Sequence, residues 1–229
     1  MKIGGFQPFT LSDFPGTTAA IIFTQGCNYR CPFCHNRKLL DTKVSKCELL
    51  SPEKVIEALK LRRNVLEGLV ITGGEPAIQP DLLMFIRQVR KIGYKIKLDT
   101  NGSCPEVIEA LIERDCLDYI AMDIKAPFRK YNKLAGVSVV TEDISNSIDI
   151  ISASRVVSEF RTTYITELLT ETDIEEIRSL VPVGSKYTVQ KFIPENAWNW
   201  SLTDKNDSKH NQRAFSAYKY KNKTEHVTI

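Results

Sequence analysis

The stretch Gly26-Cys27-Asn28-Tyr29-Arg30-Cys31-Pro32-Phe33-Cys34-His35-Asn36 sets the terms for the rest of the chain. Its cysteines stand at C-x3-C-x2-C spacing, directly after the apolar run 19–23. Thiolate sulfur is a preferred ligand for iron–sulfur clusters and soft metals. Three thiols packed into one short loop suit a cluster better than a disulfide. Three ligands for a four-iron cluster leave one iron without a protein partner, and an open metal position is a reaction site. A zinc knuckle that adds His35, or three unrelated core thiols, are the alternatives.

The composition is compatible with this reading. At 229 residues, 42% hydrophobic and 26% charged, the chain has the make-up of a globular domain with a full core. The opening decapeptide lacks the apolar segment of a secretion signal, and no run approaches the length needed to span a bilayer. A cytoplasmic location with reduced thiols is therefore expected, with no membrane or nucleic-acid partner. The remaining cysteines, Cys47, Cys104 and Cys116, are scattered and read as ordinary thiols. The net charge of +3 resides in the stretch from Ser201 onward, a short basic tail.

Working outward from the cysteines, a rhythm emerges. A short opening strand over 3–9 precedes a buried strand over 19–24. Ser51-Pro52 opens a helix, as N-cap and first helical residue. Strands follow over 69–72, 94–98, 117–122, 156–165 and 186–193, separated by helical patterns that begin near Pro80 and Pro105 and around Ile144 and Ile174. Strand–helix alternation demands a parallel sheet covered by helices. Six such units fall short of a closed eight-fold barrel, so the expected class is α/β, a partial, open (β/α)6 TIM-like barrel. A doubly wound sheet remains open on pattern alone. Residues 1–194 form the expected domain, and 195–229, with Trp198 and Trp200, an extension.

Chemistry-bearing residues cluster at the ends of successive strands. Thr72-Gly73-Gly74-Glu75-Pro76 offers bare backbone that a ligand, such as an amino-acid ammonium, can approach. Asp99-Thr100-Asn101-Gly102 ends the next strand, and Asp123-Ile124-Lys125 the one after. Function in parallel α/β folds gathers at C-terminal strand ends, so these segments and the cysteines point at one mouth. Arg161 interrupts an apolar and threonine-rich strand, and needs a partner if it points inward. An outward, solvated arginine is the other possibility.

Together these segments resemble the radical S-adenosylmethionine (radical SAM) superfamily. The cysteine motif with its aromatic Phe33, and the wider string FTQGCNYRCPFCHN, are similar to the glycyl-radical-enzyme activases, in particular the anaerobic ribonucleoside-triphosphate reductase activating proteins. The resemblance runs from about Gly4 to Pro194. It implies a 4Fe–4S cluster on Cys27, Cys31 and Cys34, whose open iron chelates SAM. It further implies that Phe33, Gly73, Gly74, Glu75, Pro76, Asp99, Asn101, Asp123, Lys125 and Arg161 form the SAM site. A monovalent cation would be held by Asp99, Thr100, Asp123 and the Ala121 carbonyl. The implied activity is reductive SAM cleavage to a 5′-deoxyadenosyl radical, with the partner enzyme's glycine as hydrogen donor. The implied electron source is a low-potential donor such as flavodoxin or ferredoxin. Two rivals stand beside it: radical chemistry on a small molecule, and a non-catalytic metal-binding or electron-transfer module.

Overall fold

The computed structural model describes residues 1–45 and 48–192. Cys47, Trp198, Trp200 and the expected extension 195–229 lie outside the described residues. Seven strands form one sheet in the order of the sequence. They are β1 (Ile3–Thr10), β2 (Ala19–Thr24), β3 (Gly68–Gly73), β4 (Lys95–Thr100), β5 (Tyr119–Asp123), β6 (Val157–Tyr164) and β7 (Lys186–Lys191). β1 runs antiparallel to β2, and every later neighbour is parallel.

Strand order separates the two candidate architectures. A doubly wound sheet reverses direction at a switch point and carries helices on both faces. Here sequence neighbours are spatial neighbours throughout, and right-handed crossovers then put every helix on one side. The result is an open (β/α)6 partial barrel, with β1 as an antiparallel flank. The helices are α1 (Pro52–Leu61), α2 (Leu82–Ile92), α3 (Pro105–Glu113), the short α4 (Tyr131–Ala135), α5 (Thr141–Ala153) and α6 (Glu171–Leu180).

Local chemistry sets their ends. The Ser51 hydroxyl accepts from Lys54 N at 3.5 Å with Pro52 in the first turn, while α2 stops at Gly93 in the left-handed region. The pattern missed α4, which is too short to show a period.

The two faces of the sheet differ. Ile22, Ile71, Ile96, Leu98, Ile120 and Phe160 point outward and are wholly buried against the helices. Toward the barrel interior, Ile21, Val70, Tyr119 and Ala121 form a smaller apolar floor with Phe14. Above that floor the interior turns polar. Among the described residues no helix is long and apolar enough to cross a membrane.

Candidate active site at the barrel mouth

Every residue expected to hold the cluster or SAM except Pro76 lines a single cavity of about 200 Å³ at the C-terminal ends of β2 to β7. Ala121, expected to offer its carbonyl to a cation, is not among the lining residues. Pro76 is buried instead, opening a 3-10 turn that starts behind β3. Thr100, Tyr29, His35 and Gln190 also line the cavity.

The cysteine loop is fastened from several sides. Gly26 N donates to Leu39 O at 2.7 Å, Arg30 N to Ala135 O at 2.7 Å, and Asn36 Nδ2 to Gly73 O at 3.2 Å. The Arg30 guanidinium donates to the carbonyls of Cys27 and Tyr29, at 2.6 and 2.8 Å. The loop therefore arrives with its thiols already facing the cavity. Burial, followed by the charge of Glu75, pushes the Cys27 thiol up to about 12; burial pushes Cys31 up to about 11 and also raises Cys34. A metal would have to displace those protons on binding.

Gly73-Gly74 lines the cavity and has a structural task besides. A Cβ on Gly74 would lie 2.0 Å from the Gly26 carbonyl oxygen, and Gly73 adopts a φ of +112°. What approaches this bare backbone is the cysteine loop itself: Glu75 N donates to Gly26 O at 2.9 Å. Glycine is required here for the strand end to meet the loop.

Glu75 lines the cavity too, and its carboxylate is held by the chain itself. Its carboxylate is 1% exposed and accepts from Ala77 N (3.0 Å), Thr100 Oγ1 (2.7 Å) and Asn101 N (2.7 Å). Those donors belong to the chain, so Glu75 locks the ends of β3 and β4 together. Burial raises its pKa to about 7 even against these hydrogen bonds. Asn101 continues the brace, donating from Nδ2 to Asn28 Oδ1 in the cysteine loop at 2.9 Å.

Arg161 points inward, its side chain 14% exposed, which settles the choice left by the sequence. Its Nε meets Asp123 Oδ1 at 2.8 Å and its Nη1 lies 3.7 Å from Asp99 Oδ1. Lys125 Nζ donates to Asp123 Oδ2 at 3.0 Å. Burial alone would raise the Asp123 carboxyl, but Arg161 and Lys125 outweigh it and hold it well below the usual carboxylate range.

Sequence reasoning passed over Lys97. It is 3% exposed, and its Nζ lies 2.5 Å from Asp99 Oδ1. Strand alternation carried the signal, since residues two apart share a face. Tyr29 was missed too: its hydroxyl is buried in the cavity wall without a hydrogen-bond partner.

The Radical SAM superfamily description matches residues 21–181, well over half of the chain. The chain belongs to the radical SAM superfamily. It is 34% identical over 203 residues to a Methanocaldococcus jannaschii protein named "Putative glycyl-radical enzyme activating enzyme", covering 86% of this chain and 82% of that one. Proteins of Saccharolobus islandicus named "Probable GTP 3',8-cyclase" are 29% identical over 136 residues, covering 57% of this chain but 43% of theirs. In fold, this radical SAM domain is similar to Streptococcus suis SuiB bound to precursor peptide SuiA, with a TM-score of 0.68 and 13% identity over 91% of this chain. It is also similar to Escherichia coli coproporphyrinogen III oxidase (HemN), with a TM-score of 0.60 and 12% identity over 86%. The chain spans about half the length of those two solved proteins, 46% and 50%.

Radical SAM enzymes work with a 4Fe–4S cluster and SAM, and the residues present fit both. Three buried or half-buried free thiols share a cavity with an unsatisfied phenol that a guest could engage. Among the described residues no three His, Cys, Asp or Glu side chains form a group that could hold a single metal ion. The expected monovalent cation does not fit. Both aspartates already hold amino-acid cations, and Thr100 Oγ1 donates to Glu75 and accepts from Gly102 N.

Proposed function

We propose that this radical SAM enzyme installs a glycyl radical on a partner enzyme, and that the partner is an anaerobic ribonucleoside-triphosphate reductase. The observation that carries the proposal is the match to the Methanocaldococcus activating enzyme, which extends over most of both chains. The cyclase matches leave more than half of those relatives unaccounted for. An open barrel supports a macromolecular substrate as well, because a lateral gap admits a loop that a closed barrel would exclude.

In this reading Cys27, Cys31 and Cys34 hold the cluster, and buried Phe33 screens it from water. The backbone of Gly73 and Gly74, with Asn101, receives the methionyl end of SAM. Lys125 and Arg161 supply positive charge for its carboxylate, while Glu75 keeps the β3 and β4 ends in place. When bound, the two cofactors supply one chemistry: an electron from a flavodoxin- or ferredoxin-like donor cleaves SAM to methionine and a 5′-deoxyadenosyl radical that takes a hydrogen atom. The chain orients the groups and excludes water. A glycine Cα on the partner gives up the hydrogen atom, leaving 5′-deoxyadenosine and the glycyl radical.

The test is to combine cluster-loaded, reduced protein with SAM and an anaerobic reductase carrying a C-terminal glycyl-radical motif, then record the EPR spectrum. A glycyl doublet supports the proposal. No doublet with any glycyl-radical partner, together with SAM turnover on a small molecule such as GTP, would transfer the case to the small-molecule reading.

A further inference from the structure

The aspartates at the mouth carry more positive charge than they need. Lys97 Nζ lies 2.5 Å from Asp99, Arg161 reaches both Asp99 (3.7 Å) and Asp123 (2.8 Å), and Lys125 meets Asp123 at 3.0 Å. The third carboxylate of the cavity, Glu75, is engaged by Ala77 N, Thr100 Oγ1 and Asn101 N, while three cationic side chains face these two aspartates. A monovalent ion added to the same oxygens would sit among those cations, where like charges repel strongly for want of solvent screening.

Thr100, one of the two neutral ligands expected for such an ion, is engaged elsewhere. Thr100 Oγ1 donates to Glu75 at 2.7 Å and accepts from Gly102 N at 3.2 Å, and Thr100 stands on the opposite face of β4 from Asp99. Of the three cations, Lys97 alone is within hydrogen-bonding distance of Asp99. It rises from one rung below, where its Nζ is 5.7 Å from the centre of the Tyr119 ring. A lysine this deeply buried is rare without a paired charge, and Asp99 is that pair.

We propose that Lys97 is a built-in counter-ion that stands in for a bound monovalent cation at Asp99, so that SAM binding is independent of potassium and sodium. The inference rests on the reading that this cavity binds SAM. Lys97 is a positioning residue. By neutralising Asp99 it leaves Arg161 free to keep its Nε on Asp123 and its charge toward the ligand.

The experiment uses the full, cluster-loaded chain under anaerobic conditions. SAM affinity is measured by calorimetry in potassium, sodium or choline chloride at one ionic strength. Wild type is expected to vary by less than about two-fold across the three salts, whereas Lys97→Met should bind about ten-fold more weakly in choline and recover in potassium. Rescue by a small cation but not by choline is a response that loss of packing alone would not give. Lys97→Arg, which keeps the charge, should stay salt-independent.

Thallium(I) NMR supplies a readout without SAM: a potassium-competed bound signal is expected from Lys97→Met and none from wild type. A potassium-competed thallium signal from wild type, or a wild-type affinity about ten-fold lower in choline, would overturn the proposal. Wild type that binds no SAM in any salt would sink the cofactor reading, while the thallium spectrum would still decide the counter-ion. If Lys97→Met does not fold, the wild-type measurements decide it alone.

Discussion

Phe160 and Arg161 are neighbours on β6, yet they live in opposite environments. Phe160 is wholly buried among helix side chains, while Arg161 reaches into the barrel between two carboxylates. The same division recurs on β4, where Ile96 and Leu98 join the outer core and Lys97 and Asp99 face the interior. One face of the sheet is thus spent on stability and the other on charge. Burial by itself does not separate them, since Lys97 is as hidden as many core residues. What separates them is whether the buried atoms have only apolar partners or a paired charge.

The largest contrast should come from two buried cysteines. Cys31 and Cys116 both belong to the main apolar cluster, at 7% and 2% exposure, but Cys31 also lines the mouth and Cys116 does not. Iron and sulfide analysis after anaerobic reconstitution is expected to find about four of each in wild type and in Cys116→Ala, and essentially none in Cys31→Ala. A full cluster in Cys31→Ala would break the division of labour between the faces.

Next in size is the β6 pair. Phe160→Ala removes a large side chain from a packed layer and should lower the unfolding free energy by about 3–5 kcal/mol in denaturant titration. Arg161→Gln should cost less than about 2 kcal/mol, because Lys125 and Lys97 still cover the two aspartates and neither is left alone. Its cost should surface instead as weaker SAM binding. A reversed order of stabilities would show that the inner charges, rather than the outer core, hold the barrel together.

How far these roles were legible follows from the same division. The outer layer announces itself through period and punctuation: Ser51-Pro52 and Gly93 mark helix ends, and residues such as Leu82, Phe85, Ile86 and Val89 trace one helix face. At the mouth, residue types at strand ends were enough to gather Cys27, Asp99, Asp123 and Lys125 into one place. The missed features depend on approach between segments distant in sequence. Nothing local says that Gly74 is bare for the sake of Gly26, or that Glu75 is satisfied by Thr100 and Asn101. Lys97 was legible in principle, because strand alternation puts it on the Asp99 face.

Another buried charge sharpens the comparison by having no place at the mouth. Asp173 is 0% exposed, caps α6 through Thr170, and accepts from Lys130 Nζ at 2.6 Å and from the half-exposed Arg129. Burial would raise its pKa, but Lys130, Thr170 and Arg129 hold it well below the usual range. A depressed carboxyl stabilises the fold above its unfolded pKa of about 3.9, and that contribution is lost as pH falls toward the folded value. Asp173→Asn should therefore cost about 2 kcal/mol near neutrality, allowing for the solvent-screened arginine. The gap from wild type should narrow as pH drops from about 5 toward 2. A gap that is flat over that range would mean that Asp173 acts as a neutral cap.

The smallest effect concerns Tyr29, and its sign is the informative part. The Tyr29 ring is 3% exposed and meets Tyr131 edge-on, with centroids 6.4 Å apart, so the side chain is packed in place. Its hydroxyl is nonetheless buried without a hydrogen-bond partner, and burial followed by the neighbouring Tyr131 and Glu75 pushes its pKa up, keeping it a protonated donor. A buried donor left unpaired costs about 1–3 kcal/mol, so Tyr29→Phe should stabilise the cofactor-free protein, by about 1 kcal/mol if the pocket wall relaxes part of the penalty. An outer-face residue would respond in the same way in every state of the protein. At the mouth the gain should disappear once cluster and SAM are bound, because a guest that accepts from the phenol removes the penalty that the substitution relieves. Thermal unfolding of wild type and Tyr29→Phe, each with and without cofactors, reads both signs. Equal gains in the two states would mean that the hydroxyl never meets a ligand and that Tyr29 belongs, like Phe160, to the packing of the fold.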